Sequence, residues 1–314
     1  MNNQIKESNS WYLDSFFSIT VGRGDNVAKV KKKKQDAIDK IVGGVSLNLK
    51  YPVLLVHGMC FRDWKVFSYF GRVPKLYKRM GADVYHGCQD SVGAYETNAL
   101  QLKETIDKVL EKTGAEKINV VAHSKGGLDT RYLISTLGYG DKIASLTTLQ
   151  TPHHGSKTVD RLMKIPKPLV RLAGFLTSAF YKILGDKKPA AYKCFELFTT
   201  KGAREFNEAN PDSCEVYYQS YAFVMKRWTA DVFMCLPSLV VGSLEGENDG
   251  LLPPSAVMWG EFKGIVRTNG RRGISHADEV DFRRRRFTKK SGDGVCDILE
   301  IYKRIVIDLE ERGF

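Results

Sequence analysis

The sequence lacks the features that mark membrane-spanning and secreted proteins. None of its 314 residues lies in a run approaching the ~20 consecutive apolar residues that a membrane-spanning helix needs. Its beginning, MNNQIKESNSWYLDSFF, has no basic head followed by a long apolar stretch and a small-residue cleavage site, so no signal peptide is predicted. We therefore expect a protein that stays in the cell, or a secreted form that lacks its leader.

Cysteine is scarce as well. The six cysteines lie without the spacing of metal ligands, at Cys60, Cys88, Cys194, Cys214, Cys235 and Cys296. In a chain of this length they are predicted to be free and buried rather than to form a disulfide framework.

Acidic residues are outnumbered by basic ones. The chain has 48 Lys and Arg against 36 Asp and Glu, which gives a formal net charge of +12. Much of the excess lies in two runs, at residues 31–34 and 283–286, which we interpret as solvated surface; attraction to an anionic lipid interface is the alternative. No nucleic-acid-binding signature accompanies the charge, so no nucleic-acid partner is predicted, and no obligate protein partner is inferred.

The order of apolar segments predicts an α/β fold behind an N-terminal extension. Residues 1–48 form the Lys-rich extension, with one helix near 35–42, and residues 49–314 form the main domain. From residue 51 onward short apolar runs alternate with amphipathic segments, the pattern of βαβ units around a mostly parallel sheet flanked by helices. Strands are predicted over 53–56, 83–85, 118–122, 144–149, 215–220 and 238–241. Helices are predicted over 64–79, 95–112, 127–137, 202–209 and 296–310.

The most informative segment is INVVAHSKGGLDTRY, in which an apolar strand runs into Ser124 and a helix follows. This is the nucleophile elbow of the α/β-hydrolase fold, with Ala122 in the place of the first glycine. The turn is so tight that Ser124 must take a strained conformation, and bulky neighbours at positions 122 and 126 would clash. The serine hydroxyl would stand beside a helix N-terminus, where the helix dipole and free amides favour a developing oxyanion. We predict Ser124 as the nucleophile.

The catalytic base follows from elimination. In this fold the chain order is serine, then acid, then histidine. Three histidines follow Ser124, but His153 and His154 come immediately after the next strand and leave no room for an acid-bearing strand before them. His276, in GISHADEV, is therefore predicted as the base.

The acid should follow a strand that lies between the serine and the base. The segment PSLVVGS is the last clear strand pattern before His276, and it leads into LEGENDGLL. Asp249 is predicted to hold the imidazole tautomer and to stabilise its cation. Glu245 and Glu247 are the alternatives.

Residues 157–200 break the alternation of strands and helices, and only helices fit them. Over residues 168–184 the apolar side chains are too many for one core-facing stripe, since Lys167, Arg171 and Lys182 leave only a narrow polar face. We expect this segment to be a lid that closes over Ser124 in water and opens at a lipid surface. An extra packing helix pair is the alternative.

Taken together, these motifs resemble the bacterial true lipases, the calcium-bearing family of triacylglycerol lipases. The resemblance runs from about Tyr51 to Asp281 and includes, in order, PVLLVHG, AHSKGG, LTTLQTPHHGS, TTKGAREFNEANPD, NDG and HADEV. It implies an α/β-hydrolase fold with a helical lid. It also implies an oxyanion hole made of the backbone amides of Met59, which follows a His-Gly pair, and Lys125.

The resemblance further implies a calcium ion beside the base. The two aspartates of that site map onto Asp278, two residues after the base, and Asp231, and the two backbone carbonyls map near Phe282 and Arg286. Hard oxygen ligands of this kind suit Ca²⁺. The sequence departs from the family in two places: four arginines occupy the carbonyl-donating segment, and LLPPSA has no cysteine for the usual disulfide.

The sequence therefore predicts a serine carboxylic-ester hydrolase that forms an acyl-enzyme on Ser124. The resemblance implies water-insoluble acyl esters as substrates and a triacylglycerol lipase as the activity. A phospholipase or acyltransferase, or a short-chain carboxylesterase, with the same triad is the alternative within enzymes. A non-catalytic binding protein is the alternative outside them, and the intact Ser124, Asp249 and His276 argue against it.

Overall fold

A single parallel sheet organises the chain. The computed structural model describes residues 36–61, 68–290 and 292–314. Within them six strands pair in the order β2-β1-β3-β4-β5-β6, all parallel. The strands are β1 (Val53–Val56), β2 (Val84–His86), β3 (Ile118–His123), β4 (Ile143–Leu149), β5 (Tyr217–Phe223) and β6 (Glu261–Val266). The helices are α1 (36–42), α2 (Val73–Arg79), α3 (Tyr95–Thr113), α4 (Lys125–Ser135), α5 (Lys157–Leu162), α6 (Lys167–Ile183), α7 (Ala191–Leu197), α8 (Thr200–Ala209), α9 (Cys235–Glu245) and α10 (Leu299–Glu311). The predicted α/β-hydrolase architecture is confirmed.

The central strands are buried on both faces because helices cover both sides of the sheet. Every residue of β1, β3 and β4 is buried, which explains their nearly continuous apolar sequences. On one face, residues such as Leu55 and Val121 pack with α1, α2 and α10. On the other face, Leu54 and Val120 pack with α3 and α4. The sheet therefore holds the carboxyl ends of β3 and β4 in fixed positions.

One predicted strand is wrong. Residues 238–241 lie in α9, where only Ser238 and Val241 are buried, at helical spacing. Leu236, in the same helix, is 70% exposed. The apolar run resembles a buried strand in sequence. In the helix, however, Ser238 and Val241 face the interior, and apolar residues such as Leu236 face solvent.

One strand was not predicted. β6 lies at the edge of the sheet, and its residues are exposed or only half-buried. Its sequence, EFKGIV, contains charges and a glycine, so it lacks the apolar run that identifies a covered strand. The other predicted strands are found with small shifts in their ends.

Parts of the chain named in the sequence predictions lie outside the described residues. The lysine run at 31–34 and most of the extension fall there, as do residues 64–67 of the helix predicted over 64–79. In the described part of that segment, the helix begins at Val73.

No disulfide joins any of the six cysteines, all of which lie among the described residues, as the length of the chain predicted. Burial was expected for them, and Cys194 is buried, but Cys88 and Cys214 are exposed. Among the described residues, no helix is both long enough and apolar enough to cross a membrane.

A buried ion-pair cluster joins the start of α2 to the C-terminal part of the chain. The Arg72 guanidinium contacts Asp281 at 2.7 Å and Asp297 at 2.8 Å. Both carboxylates are almost fully buried, with side-chain exposures of 1% and 0%. The cluster therefore connects the loop after His276 with the region that leads into α10.

We expect Arg72→Ala to destabilise the fold by about 3–5 kcal/mol, because it leaves two buried carboxylates without their shared cation. Chemical denaturation monitored by circular dichroism would measure the loss. Arg79→Ala is the matched control, since its ion pair with Asp39 is exposed at 46% and 44% and should contribute little. Equal effects of the two substitutions would contradict this account.

Candidate active site

Ser124 occupies a strained turn between β3 and α4. Its φ is 53° and its ψ is −130°, a conformation that a residue with a side chain adopts only when its surroundings impose it. Two hydrogen bonds of the Ser124 backbone impose this conformation. The Ser124 amide donates to the Leu149 carbonyl over 2.9 Å, and the Thr151 hydroxyl donates to the Ser124 carbonyl over 2.7 Å. The strain is therefore held by β4 and the loop that follows it.

The turn and the loop after β1 touch each other, which explains the small residues in both. A methyl group at Gly126 would lie 2.4 Å from the His57 carbonyl oxygen. A methyl group at Gly58 would lie 2.8 Å from Ser124 Cβ. Side chains at these two positions would separate Met59 from the serine, so the two glycines allow the close approach that the predicted oxyanion hole needs.

Lys125 presents its backbone, not its charge, to the site. Its ammonium group is buried and lies 2.5 Å from the Asp129 carboxylate, which also accepts a hydrogen bond from Asn98. Its amide is in the first turn of α4, where no intrahelical acceptor exists. The amide is thus suited to an oxyanion, and its role there stays a prediction.

Asp249 and His276 form a close pair. The Asp249 Oδ2 atom lies 2.5 Å from His276 Nδ1, and the His276 amide donates to the Asp249 carbonyl over 2.9 Å. The Asp249 carboxylate is fully buried and accepts the amides of Leu251 and Leu252 through its other oxygen. Although burial opposes it, the neighbouring His276 lowers the pKa of Asp249, so the carboxylate stays ionised.

The other candidates for the acid bind elsewhere. Glu245 accepts hydrogen bonds from the hydroxyl groups of Ser156 and Thr158. Glu247 is exposed and pairs with Arg267 at 2.7 Å. Asp249 is therefore the predicted acid that the structure brings to the base.

The early histidines also have other contacts. The ring of His153 stacks on Trp259 at 5.1 Å and lies 3.1 Å from the Thr148 hydroxyl. The ring of His154 contacts the Met258 carbonyl at 2.9 Å. His276, by contrast, lies 4.4 Å, ring to ring, from His123, the residue that precedes Ser124.

A second acidic residue at the site was missed in the sequence. Glu279 is fully buried, and its carboxylate lies 2.9 Å from His123 Nε2 and 3.8 Å from His276 Nδ1. Burial and the Asp249 charge raise the pKa of Glu279 well above its usual range, while burial and His276 lower the pKa of His123 well below its usual range. Both shifts favour the neutral form of the group concerned, whereas the shift of Asp249 favours its ionised form. The signal in the sequence was an acid three residues after His276.

His123, His276 and Glu279 bring together three side chains of the types that bind metal ions. Their three donor atoms lie within 4.8 Å of one another. However, His123 Nδ1 contacts the Tyr69 hydroxyl at 2.7 Å, and His276 Nδ1 contacts Asp249. The group is explained by these hydrogen bonds without a metal.

The two aspartates expected to bind calcium come together beside the base, but a guanidinium group shares them. Ser275 Oγ lies 2.9 Å from Asp231 and 3.1 Å from Asp278. Arg283 contacts both oxygens of Asp278, with 2.6 Å from Nε to Oδ1, and its Nη2 lies 3.9 Å from Asp231. In this arrangement the residues do not fit a calcium ion, because a cationic side chain already occupies the space between the carboxylates.

The expected carbonyl donors lie in the same loop. The ring of Phe282 packs against Phe61 at 5.8 Å, and its amide donates to the Ala277 carbonyl. Arg286 is exposed and lines a surface cavity together with Arg272 and Arg283. The loop that was expected to supply neutral oxygens therefore surrounds the aspartates with positive charge.

Comparison with known proteins finds similarity to thioesterases and lipases. The palmitoyl protein thioesterase family matches residues 52–197. Triacylglycerol lipase 2 of Saccharomyces cerevisiae is 32% identical over 79% of this chain and 74% of its own length. A triacylglycerol lipase of Vibrio cholerae is 29% identical over 74% of this chain and 80% of its own length.

Among solved structures, a metagenomic carboxyl esterase superposes with a TM-score of 0.62 at 14% identity, over 86% of this chain and 78% of its own. This likeness shows the fold, and the 32% identity with the yeast lipase over most of both chains shows the family. The chain is a carboxylic-ester hydrolase, and it belongs to the lipase family of the α/β-hydrolase fold.

Proposed function

We propose that this chain hydrolyses water-insoluble acyl esters, with triacylglycerols as the main substrate class. The reaction proceeds in two acyl-transfer steps through Ser124. His276 takes the proton of the Ser124 hydroxyl as the oxygen attacks the ester carbonyl, and the amides of Met59 and Lys125 stabilise the oxyanion.

His276 then gives its proton to the alcohol that leaves, and the acyl group remains on Ser124. In the second step His276 removes a proton from water, which attacks the acyl-enzyme and releases the fatty acid. Asp249 keeps the imidazole in the correct tautomer and stabilises its cation throughout.

The observation that carries the substrate class is the exposed apolar face of α6. Within this fully described helix only Gly174, which packs against Tyr192, is buried. The exposed side chains are large: Leu169 57%, Leu172 53%, Phe175 67%, Leu176 59%, Phe180 56% and Ile183 85%. A surface of this kind favours contact with lipid, because soluble proteins rarely expose so many large apolar side chains side by side.

The helix is tied to the predicted oxyanion loop. Tyr181, on α6, lies beside the thiol of Cys60, the residue after Met59. A movement of α6 can therefore reach the loop that stabilises the oxyanion. This contact supports the assignment of α6 as a lid rather than as a packing helix.

A second exposed apolar surface adjoins the acid loop. Val232 and Phe233, just before α9, are 84% and 80% exposed. Asn248, the neighbour of Asp249, is bonded to Ser238 of α9 through both ends of its side-chain amide. The predicted oxyanion loop is therefore connected to the apolar surface of α6, and the acid loop to the apolar surface at α9.

The closed position expected for the lid is not the one observed. A helix lying over Ser124 in water would bury its apolar face, whereas the apolar face of α6 points to solvent. This arrangement is the one expected at a lipid surface, where burial of apolar side chains in the interface stabilises the open position.

We expect the double substitution Phe175→Ser with Phe180→Ser to lower activity on emulsified long-chain triglyceride at least ~10-fold more than activity on soluble p-nitrophenyl butyrate. Two phenylalanines contribute several kilocalories per mole of burial at a lipid surface, on the order of 1.5–3 kcal/mol each, and none to a soluble substrate. Initial rates on both substrates, measured on the same preparations, give the ratio.

Leu100→Ser is the matched control, since Leu100 is 52% exposed on α3 and carries no predicted role. It should leave the ratio unchanged. Equal losses on both substrates in the double variant would indicate a generic carboxylesterase, and faster hydrolysis of phospholipid than of triglyceride would indicate a phospholipase.

A further inference from the structure

The two aspartates that the lipase resemblance assigns to calcium, Asp231 and Asp278, lie beside arginine side chains in this chain. Asp231 and Asp278 have side-chain exposures of only 7% and 4%, and both are acidic groups that require compensation when buried. Arg283, seven residues after His276, lies against both of them.

The charges in this cluster are balanced without a metal. Arg283 makes a two-pronged contact with Asp278, and Arg272 lies 3.9 Å from Asp231. Two carboxylates therefore face two guanidinium groups. A divalent cation entering here would meet the positive charges of both arginines and would have to displace Arg283, whose fork matches the carboxylate geometry.

The cluster is joined directly to the backbone that carries the base. The Asp278 amide donates to the Ser275 carbonyl over 2.7 Å, and the Ser275 amide lies 3.3 Å from the Asp278 carboxylate. Ser275 precedes His276, so the turn that contains the base is closed by Asp278. Whatever neutralises Asp278 also stabilises this turn.

We propose that Arg283 is a built-in cation that replaces calcium at this site. It is a positioning residue: it holds Asp278 and Asp231 together, and through them the turn that aims His276 at Ser124. The protein is accordingly independent of calcium. The activity readout below rests on the proposed role of His276, whereas the melting and binding readouts do not.

The first test uses the wild-type protein after metal removal. Its melting temperature should be the same in excess calcium and in excess EGTA, and calorimetric titration with CaCl₂ should give no binding at this site. A calcium-dependent rise in melting temperature, abolished by Asp278→Asn, would overturn the proposal.

The second test removes the built-in cation. Arg283→Ala should leave two facing carboxylates that accept calcium, so that excess CaCl₂ raises its melting temperature by about 5 °C over EGTA. In EGTA its kcat on p-nitrophenyl butyrate should fall about 10- to 100-fold with little change in KM, and calcium should restore it. Arg283→Lys should retain most of the wild-type stability and turnover without calcium.

Arg285→Ala is the matched control, because Arg285 is exposed in the same arginine run. Its melting temperature and turnover should equal those of the wild type.

The proposal fails if Arg283→Ala behaves as the wild type does. It also fails if Arg283→Ala loses stability and activity that calcium does not restore and that Arg283→Lys loses as well. If Arg283→Ala does not fold, Arg283→Lys and the wild-type calcium titration decide the question. If the calcium results hold while Ser124→Ala remains active, the built-in cation stands and the proposed mechanism fails.

Discussion

Replacing Ser124 by alanine is expected to reduce kcat for ester hydrolysis by about a million-fold, the scale found when the nucleophile of a serine hydrolase is removed. Ser124 is the proposed nucleophile, and its strained φ of 53° is held by hydrogen bonds from Thr151 and to Leu149 that do not involve its side chain. The fold should therefore survive the substitution. Hydrolysis of p-nitrophenyl butyrate gives the rate, and thermal melting verifies the fold.

The histidines supply the controls for this prediction. His276→Ala should cost about as much as Ser124→Ala, because nucleophile and base act as one unit. His153→Ala should retain measurable turnover, since its ring contacts Trp259 and Thr148 rather than the triad. Full activity in His276→Ala with complete loss in His153→Ala would reverse the assignment of the base. Absence of labelling of the wild type by a fluorophosphonate probe would contradict the nucleophile itself.

Asp249→Asn should lower kcat by about 10⁴-fold while leaving the structure nearly unchanged, by analogy with the same substitution in a serine protease triad. An amide oxygen at position 249 can still accept the amides of Leu251 and Leu252, so the loop should keep its shape. The amide nitrogen, however, would face His276 Nδ1 and favour the tautomer that cannot take the serine proton. Rates measured from acid to alkaline pH would show the loss at every pH.

Glu247→Gln is the matched control for the acid. Its carboxylate is exposed and pairs only with Arg267 among its charged neighbours in the described part of the chain, so turnover should remain within about 2-fold of the wild type, as for most surface substitutions. Glu245→Gln tests the other alternative and should act on stability, through Ser156 and Thr158, more than on kcat. A Glu247→Gln variant that loses activity while Asp249→Asn keeps it would make Glu247 the acid.

The nucleophile elbow could be predicted from sequence because its causes are local. The elbow occupies about 15 residues and consists of a buried strand, a serine and a following helix. Small residues lie two positions before and two positions after the serine. Each of these features can be recognised from the amino-acid sequence. His276 was found by a rule of chain order, which needs only the position of Ser124 and a count of the histidines. The structure brings His276 and Asp249 together as these predictions require.

Asp249, which the structure places beside His276, was predicted on an incorrect basis. The preceding apolar run was interpreted as a strand, but it is helix α9, and Asp249 reaches the site through the bonds between Asn248 and Ser238. A short apolar run fits a buried strand and an exposed helix face equally well, and only the packing partners distinguish them. The edge strand β6 was missed for the converse reason, since partial exposure removes the apolar signal.

The sequence by itself determined the α/β-hydrolase architecture, the elbow at Ser124 and the candidate base and acid, because short-range patterns and chain order specify these. Only the tertiary structure decided which way α6 presents its apolar face and which cation faces Asp231 and Asp278. Both depend on contacts between segments distant in the chain or on the direction of a long side chain. Arg283 is one of four consecutive arginines, and nothing in that run distinguishes it until the turn after His276 directs its guanidinium to two buried carboxylates.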